Sequence, residues 1–143
     1  MIMKFFYSKI SFPHKSKVLG NAILKPIIPV KIVVNEKTIR YSALVDSGAD
    51  FCIFDAEIGE ALGLDIRSGE KETFGGIQGR GGAEAFFHEV ELNIGGWEYK
   101  TTVGFSYDIA KFGFGVLGQK GFFDIFTVKF DLLKEEIELK ERK

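Results

Sequence analysis

Short apolar runs alternate with polar positions along most of the chain and are separated by turn residues, the period-two pattern of half-buried strands. PVKIVVNEKTIRYSALV reads as a hairpin, with VKIVV and TIRYSALV joined around Asn35 and Glu36. AEAFFHEVELNI and WEYKTTVGF read as a second, joined at Gly95 and Gly96, a pair that tolerates positive φ. TVKFD and EIELK form a closing pair near the C-terminus. One segment has helical spacing, DAEIGEALG: Asp55 suits the N-cap, Ile58, Ala61 and Leu62 give an apolar stripe, and Gly63 suits the position after the C-cap. KGFFDIF is short enough for a further helical turn. These elements predict an all-β fold with one or two short helices, and neither a linker nor an internal repeat interrupts them.

Composition narrows the picture. At 143 residues and 45% hydrophobic, the chain has the length of one ordinary domain, residues 1–143, and enough apolar matter for a core. A formal net charge of -1 supplies no broad basic field for a phosphate backbone, so nucleic acid is not an expected partner. Cys52 is the one cysteine, which excludes an intrachain disulfide and gives no sign of an oxidising compartment; a cytoplasmic location is the default expectation. The opening MIMKFFYSKI is interrupted by Lys4 and Lys9 and makes a poor signal peptide. The longest apolar stretch, AILKPIIPVKIVV, is broken by Lys25, Lys31 and two prolines, short of the roughly 20 residues a bilayer needs, so no membrane partner is expected.

ALVDSGADFCIF, residues 43–54, places Asp46 and Asp50 between two strand-like runs. Burying an ionised carboxylate costs several kcal/mol unless it is paired or hydrogen-bonded. The segment therefore marks either an exposed turn, where Asp and Gly are common for local reasons, or a site that uses the carboxylates. It occurs once; no second Asp-Ser/Thr-Gly lies near Asp108, Asp124 or Asp131.

Three features in order resemble the retropepsin-like aspartic proteases, single-domain relatives of retroviral protease and pepsin. They are an apolar strand, DSGAD and a second apolar strand; then a glycine-rich stretch, TFGGIQGRGGAEAFF, at the place of that family's flap; then Val116-Leu117-Gly118 ahead of QKGFFDIF. The likeness spans about residues 27 to 140. It implies a closed or nearly closed acid-protease β-barrel, a homodimer, and aspartic endopeptidase activity on peptide or protein substrates, with no cofactor and no metal. Peptide hydrolysis by this route needs one carboxylate to take a proton from water and a protonated partner to donate one to the carbonyl oxygen. Two such carboxyls side by side cannot both ionise and share a proton. With one motif per chain, the resemblance implies that Asp46 pairs with Asp46 of a twofold partner.

The same resemblance makes Asp46, Ser47 and Gly48 the catalytic loop, with Gly48 allowing two loops to approach and Ser47 locking them together. Ala49, Asp50, Gly75, Gly76, Ile77 and Gly79 become substrate-binding positions, the glycines letting a hairpin tip lie along an extended peptide. Where retroviral relatives often carry Arg after the later Gly, this chain has Gln119 and then Lys120, a candidate replacement. Phe74, Phe86 and Phe87 would suit an apolar substrate side chain. The alternative from another class is a non-catalytic peptide-binding or dimerisation module on the same fold; a third is a protease active only after processing or within a larger assembly.

The remaining motifs read as structural. GFGVLG matches G-x-G-x-x-G without the strand-turn-helix unit a dinucleotide site needs. His14 and His88 lack neighbours at metal-ligand spacing, and His88 reads as a strand residue. Cys52 reads as a small core residue and Trp97 as a packing residue after a turn.

Overall fold

The computed structural model describes residues 1–75 and 82–142. They form twelve strands, β1 (Ile2–Phe6), β2 (Ser8–Ser16), β3 (Gly20–Lys25), β4 (Ile27–Val34), β5 (Lys37–Val45), β6 (Ile53–Asp55), β7 (Glu70–Phe74), β8 (Ala83–Ile94), β9 (Trp97–Ser106), β10 (Gly115–Leu117), β11 (Phe126–Asp131) and β12 (Glu136–Glu141). One short helix, α1 (Ala56–Ala61), follows β6, and 3₁₀ turns occupy Ile66–Ser68 and Tyr107–Phe112.

The three expected hairpins are present. β4 and β5 turn at Asn35, whose φ of 56° is left-handed. β8 and β9 turn at Gly95 and Gly96, both at positive φ. β11 pairs with β12, and β1 adds to the other side of β12 in register from Ile2–Lys140 to Phe6–Glu136. The large sheet runs in the order β4-β5-β10-β6-β9-β8-β7. It also curls back on itself, because β8 pairs with β4 through Lys31–Asn93, Ile32–Leu92 and Val33–Glu91. β2 and β3 make a separate two-stranded sheet.

Inward positions of these strands supply the core, in which Phe54, Phe105, Phe122 and Phe126 are fully buried beside Ile28, Ile32, Leu92 and Ile94. Each such side chain withdraws enough apolar surface to contribute about 1.5–3 kcal/mol. Trp97 packs against this core as expected.

Of two local expectations, one is corrected and one is met only as a single turn. In α1 the Asp55 carboxylate accepts the Glu57 N–H at 2.9 Å and Gly63 lies beyond the C-cap at φ 92°, as the spacing suggests. Ala61, however, is exposed, and the inward face is Ala56 and Gly59 together with Leu62. Gly59 is required there, since a Cβ would stand 2.9 Å from the Phe105 ring. Secondly, KGFFDIF keeps a single helical turn, the Ile125 and Phe126 N–H groups donating to the Phe122 carbonyl at 3.0 and 2.9 Å, within a series of turns that does not extend into a helix. Gly121 at φ 98° breaks helical geometry, its N–H is taken by the Asp124 carboxylate at 2.9 Å, and the Phe123 and Asp124 N–H groups reach back five residues, to Gly118 and Gln119.

Candidate active site

β5 ends at Val45 and delivers Asp46 into a tight loop whose geometry follows from its own side chain. Asp46 Oδ1 accepts the Gly48 N–H at 2.9 Å, and the Asp46 carbonyl accepts the Ala49 N–H at 3.2 Å. A Cβ on Gly48 would come within 3.3 Å of that same Oδ1, so glycine keeps the turn tight within one chain. Asp46 is half-buried, whereas Ser47, Gly48 and Asp50 are exposed.

β10 braces the loop from behind. It inserts parallel to β5, pairing Leu117 with Val45, and the Leu117 carbonyl accepts the Asp46 N–H at 3.0 Å. Beyond it, the Gln119 and Lys120 N–H groups donate to the Ala49 and Asp50 carbonyls at 2.8 and 3.0 Å. Gly118 makes this closeness possible: a Cβ there would sit 2.7 Å from the Ala49 carbonyl oxygen and nearer still to that of Phe51. The Gln119 side chain also crosses to the loop, Nε2 donating to the Ser47 carbonyl at 3.1 Å. Lys120, by contrast, contributes its backbone; its side chain is exposed and forms no ion pair among the described residues. The brace across the loop thus comes from Gln119, which sequence reasoning missed; its position directly after Gly118 was the available signal.

A cleft of about 270 Å³ opens over the loop. Its polar floor is Asp46, Gly48, Ala49 and Asp50, and its apolar wall is Phe51, Ile53, Phe74 and Val116, with Gly75 at the rim. Phe51 meets Phe87 edge-on at 4.7 Å and Phe74 at 6.1 Å, so the wall is a small aromatic cluster held by Ile53, Ala85 and Ile109. Phe86 is not part of it. Alternation along β8 sends its ring to the opposite face, into the main core and under the Arg67 guanidinium at 5.4 Å.

β7 and β8 form the arms of the hairpin above this cleft, with Phe74 opposite Ala83 and Gly75 at φ 72°. Of the positions expected to bind substrate, Gly76, Ile77 and Gly79 lie outside the described residues. The structure therefore brings together Asp46, Gly48, Ala49, Asp50 and Gly75 from the expected set, while Ser47 is exposed and does not line the cleft.

Cys52 is fully buried beneath the loop, where its thiol donates to the Lys120 carbonyl at 3.5 Å. Burial pushes that thiol up to about 12, the nearby Asp124 adding to the effect and a Gly118 backbone hydrogen bond opposing it. It is a core residue and no nucleophile. His88 lies in β8 with Nε2 2.8 Å from the Ile66 carbonyl. Among the described residues, no three His, Cys, Asp or Glu side chains gather as a metal-binding group.

No curated protein matches the sequence. Among solved structures, the chain is similar to the EIAV protease complexed with an inhibitor, at 25% identity over 66% of this chain and 82% of that one, with a TM-score of 0.45. It is also similar to a retropepsin-like aspartic protease from Rickettsia conorii, at 19% identity over 97% of this chain and 91% of that one, with a TM-score of 0.54. The second likeness shows a shared fold across nearly the whole chain. The aspartyl protease family model matches residues 28–120, the stretch that carries β4, β5, the Asp46 loop, the β7–β8 hairpin and β10. With the fold and the sequence match in agreement, this chain belongs to the aspartyl protease family and is retropepsin-like in structure.

Proposed function

We propose that the protein is an aspartic endopeptidase whose catalytic pair is assembled from two copies of Asp46 across a homodimer. The observation that carries this reading is the Asp46 loop itself: one per chain, tightly braced by β10, at the floor of an apolar-walled cleft and with Ser47 and Gly48 exposed. A twofold contact would bring the two Asp46 carboxyls together with one shared proton. The ionised member would take a proton from water and the protonated member would donate to the carbonyl oxygen of the peptide. Asp50 and the Gly75 rim would hold the extended peptide backbone, while Phe51 and Phe74 would accept an apolar side chain beside the scissile bond. Residues 1–143 would act as one domain, and the β4–β8 pairing supports a closed or nearly closed barrel.

The test is digestion of a mixed peptide library at several pH values, with and without a statine-type transition-state analogue, by the wild type and by Asp46→Asn. Cleavage that the analogue blocks and the variant lacks is expected, with the variant's circular dichroism unchanged. Cleavage by Asp46→Asn at the wild-type rate would overturn the assignment, and peptide binding without turnover by the wild type would favour a non-catalytic module.

A further inference from the structure

The overall charge of -1 conceals a strong asymmetry. The first 35 residues contain six lysines, at positions 4, 9, 15, 17, 25 and 31, and no acidic residue; all 20 carboxylates begin at Glu36. The body of the protein is therefore acidic and its leading segment wholly basic.

The fold concentrates that basic charge on one feature. Among the described residues, β2 and β3 pair with each other and with no other strand, and none of their residues is fully buried. Lys9, Lys15 and Lys17 are exposed, Lys25 lies at the ribbon's base, and none of the four forms an ion pair among the described residues. At the turn, Val18 is 90% and Leu19 53% exposed. An isolated two-stranded ribbon is marginal in water, and each of its outer edges offers unpaired backbone groups to an extended chain.

The ribbon is rooted beside the catalytic loop. The carbonyl of Pro26, the residue after β3, accepts the N–H of Val45 at 2.8 Å, and Val45 directly precedes Asp46. Ser8 at the start of β2 donates its hydroxyl to the Ile27 carbonyl at 3.0 Å, and Ile27 lies opposite Leu44. Whatever the ribbon holds is held next to the end of β5 that presents Asp46.

We propose that the β2–β3 ribbon is a second substrate-binding site that recruits acidic segments of a protein substrate, so that another segment of the same chain lies in the Asp46 cleft. The inference rests on the protease reading for its purpose, but its binding step does not depend on turnover. A strand rise of about 3.3 Å per residue spaces Lys9, near the base, roughly 20 Å from Lys15 and Lys17, near the turn, so an extended acidic chain lying along the ribbon meets them in succession, each acting within a Debye length of about 10 Å, while the acidic body repels the same ligand and leaves the ribbon as its favoured contact. An extended acidic peptide could add to a ribbon edge through its backbone and meet Lys9, Lys15 and Lys17 with its carboxylates, with Val18 and Leu19 offering apolar contact at the turn.

Two measurements decide this. Fluorescein-labelled polyglutamate is titrated by anisotropy into Asp46→Asn and into the same protein carrying Lys9→Glu, Lys15→Glu and Lys17→Glu. Binding is expected in the first, weakening with salt, and at least about tenfold weaker in the second, since each exposed charge pair is worth up to about a factor of five. In parallel, wild type and the triple lysine variant are assayed on one cleavable peptide with and without a Glu-rich extension. The extension should lower KM about tenfold for the wild type only, leaving kcat and the unextended peptide unaffected. Absence of polyglutamate binding, or equal binding by both proteins, overturns the proposal. So does binding only to phosphatidylserine vesicles, which would make the ribbon a membrane contact. So does a change in the dimer dissociation constant alone, which would make it a subunit contact. If no peptide is cleaved by the wild type, the protease reading fails while the anisotropy result still decides the ribbon.

Discussion

Gly118→Ala should displace the Asp46 loop. Its Cβ would lie 2.7 Å from the Ala49 carbonyl oxygen and closer to that of Phe51, both backbone atoms that cannot rotate away. Restoring ordinary contact requires Ala49 to retreat by about 0.7 Å, yet Ala49 is tied to the same segment by the 2.8 Å hydrogen bond from the Gln119 N–H. Overpacking of this kind costs about 1–3 kcal/mol, which for a chain of this length lowers Tm by roughly 3–10 °C. The larger effect should be on catalysis, because a displacement near 1 Å at a catalytic group can cost about 100-fold in rate. The assay is kcat/KM on a peptide substrate, measured well below the variant's Tm, alongside a thermal melt. Gly96→Ala is the control: it carries backbone strain at φ 89°, but nothing lies within 4 Å of its Cβ and it is remote from Asp46. A Gly118→Ala protein with wild-type kcat/KM and Tm would refute the claim that β10 sets the position of the Asp46 loop.

Three further outcomes follow from the site. Gln119→Ala removes the Nε2 hydrogen bond to the Ser47 carbonyl, net about 1 kcal/mol, and should lower kcat about fivefold with little change in KM; an unchanged kcat would show that Gln119 does not hold the loop. Phe74→Ala opens the apolar wall of the cleft and should raise KM for peptides with a large apolar side chain by about tenfold while leaving kcat for small ones intact, since Phe74 is only half-buried. Cys52 should resist thiol reagents in the native protein. Because its folded thiol stays protonated to about 12, against 9.0 for the ordinary group, the stability it contributes is complete below pH 9.0 and is lost as pH rises from there toward 12. Burial raises Tyr99 in the same sense. Urea melts from pH 7 to 11 should show that decline, and Cys52→Ala should flatten it.

The parts of the fold that were legible in the sequence are those specified by neighbouring residues. Asn35, Gly95 and Gly96 mark turns because their φ values demand it, and Asp55 and Gly63 bracket α1 by local capping. The missed elements depend on distant partners. β10 has three residues and exists through pairing with Val45 and its neighbours, about 70 positions earlier, so no periodicity could reveal it. β1 gains its strand from β12 at the other end of the chain. β2 breaks its alternation at Pro13 and shifts register between Ser11 and Ser16. At the site, DSGAD announced Asp46 and Asp50, but not the approach of Gly118 to the loop or the reach of Gln119, which are consequences of that same long-range pairing. Phe86 and Phe87 looked equivalent in sequence; the pleat separates them to opposite faces.

The claim that two copies of Asp46 make one catalytic centre is tested most directly by mixing subunits. Wild type and Asp46→Asn are combined in varying proportion at constant total concentration, allowed to exchange, and assayed on a peptide substrate. If both carboxyls are required, only wild-type pairs cleave, and activity should fall as the square of the wild-type fraction. A linear fall would mean that each chain cleaves by itself, and the shared Asp46 pair would be wrong.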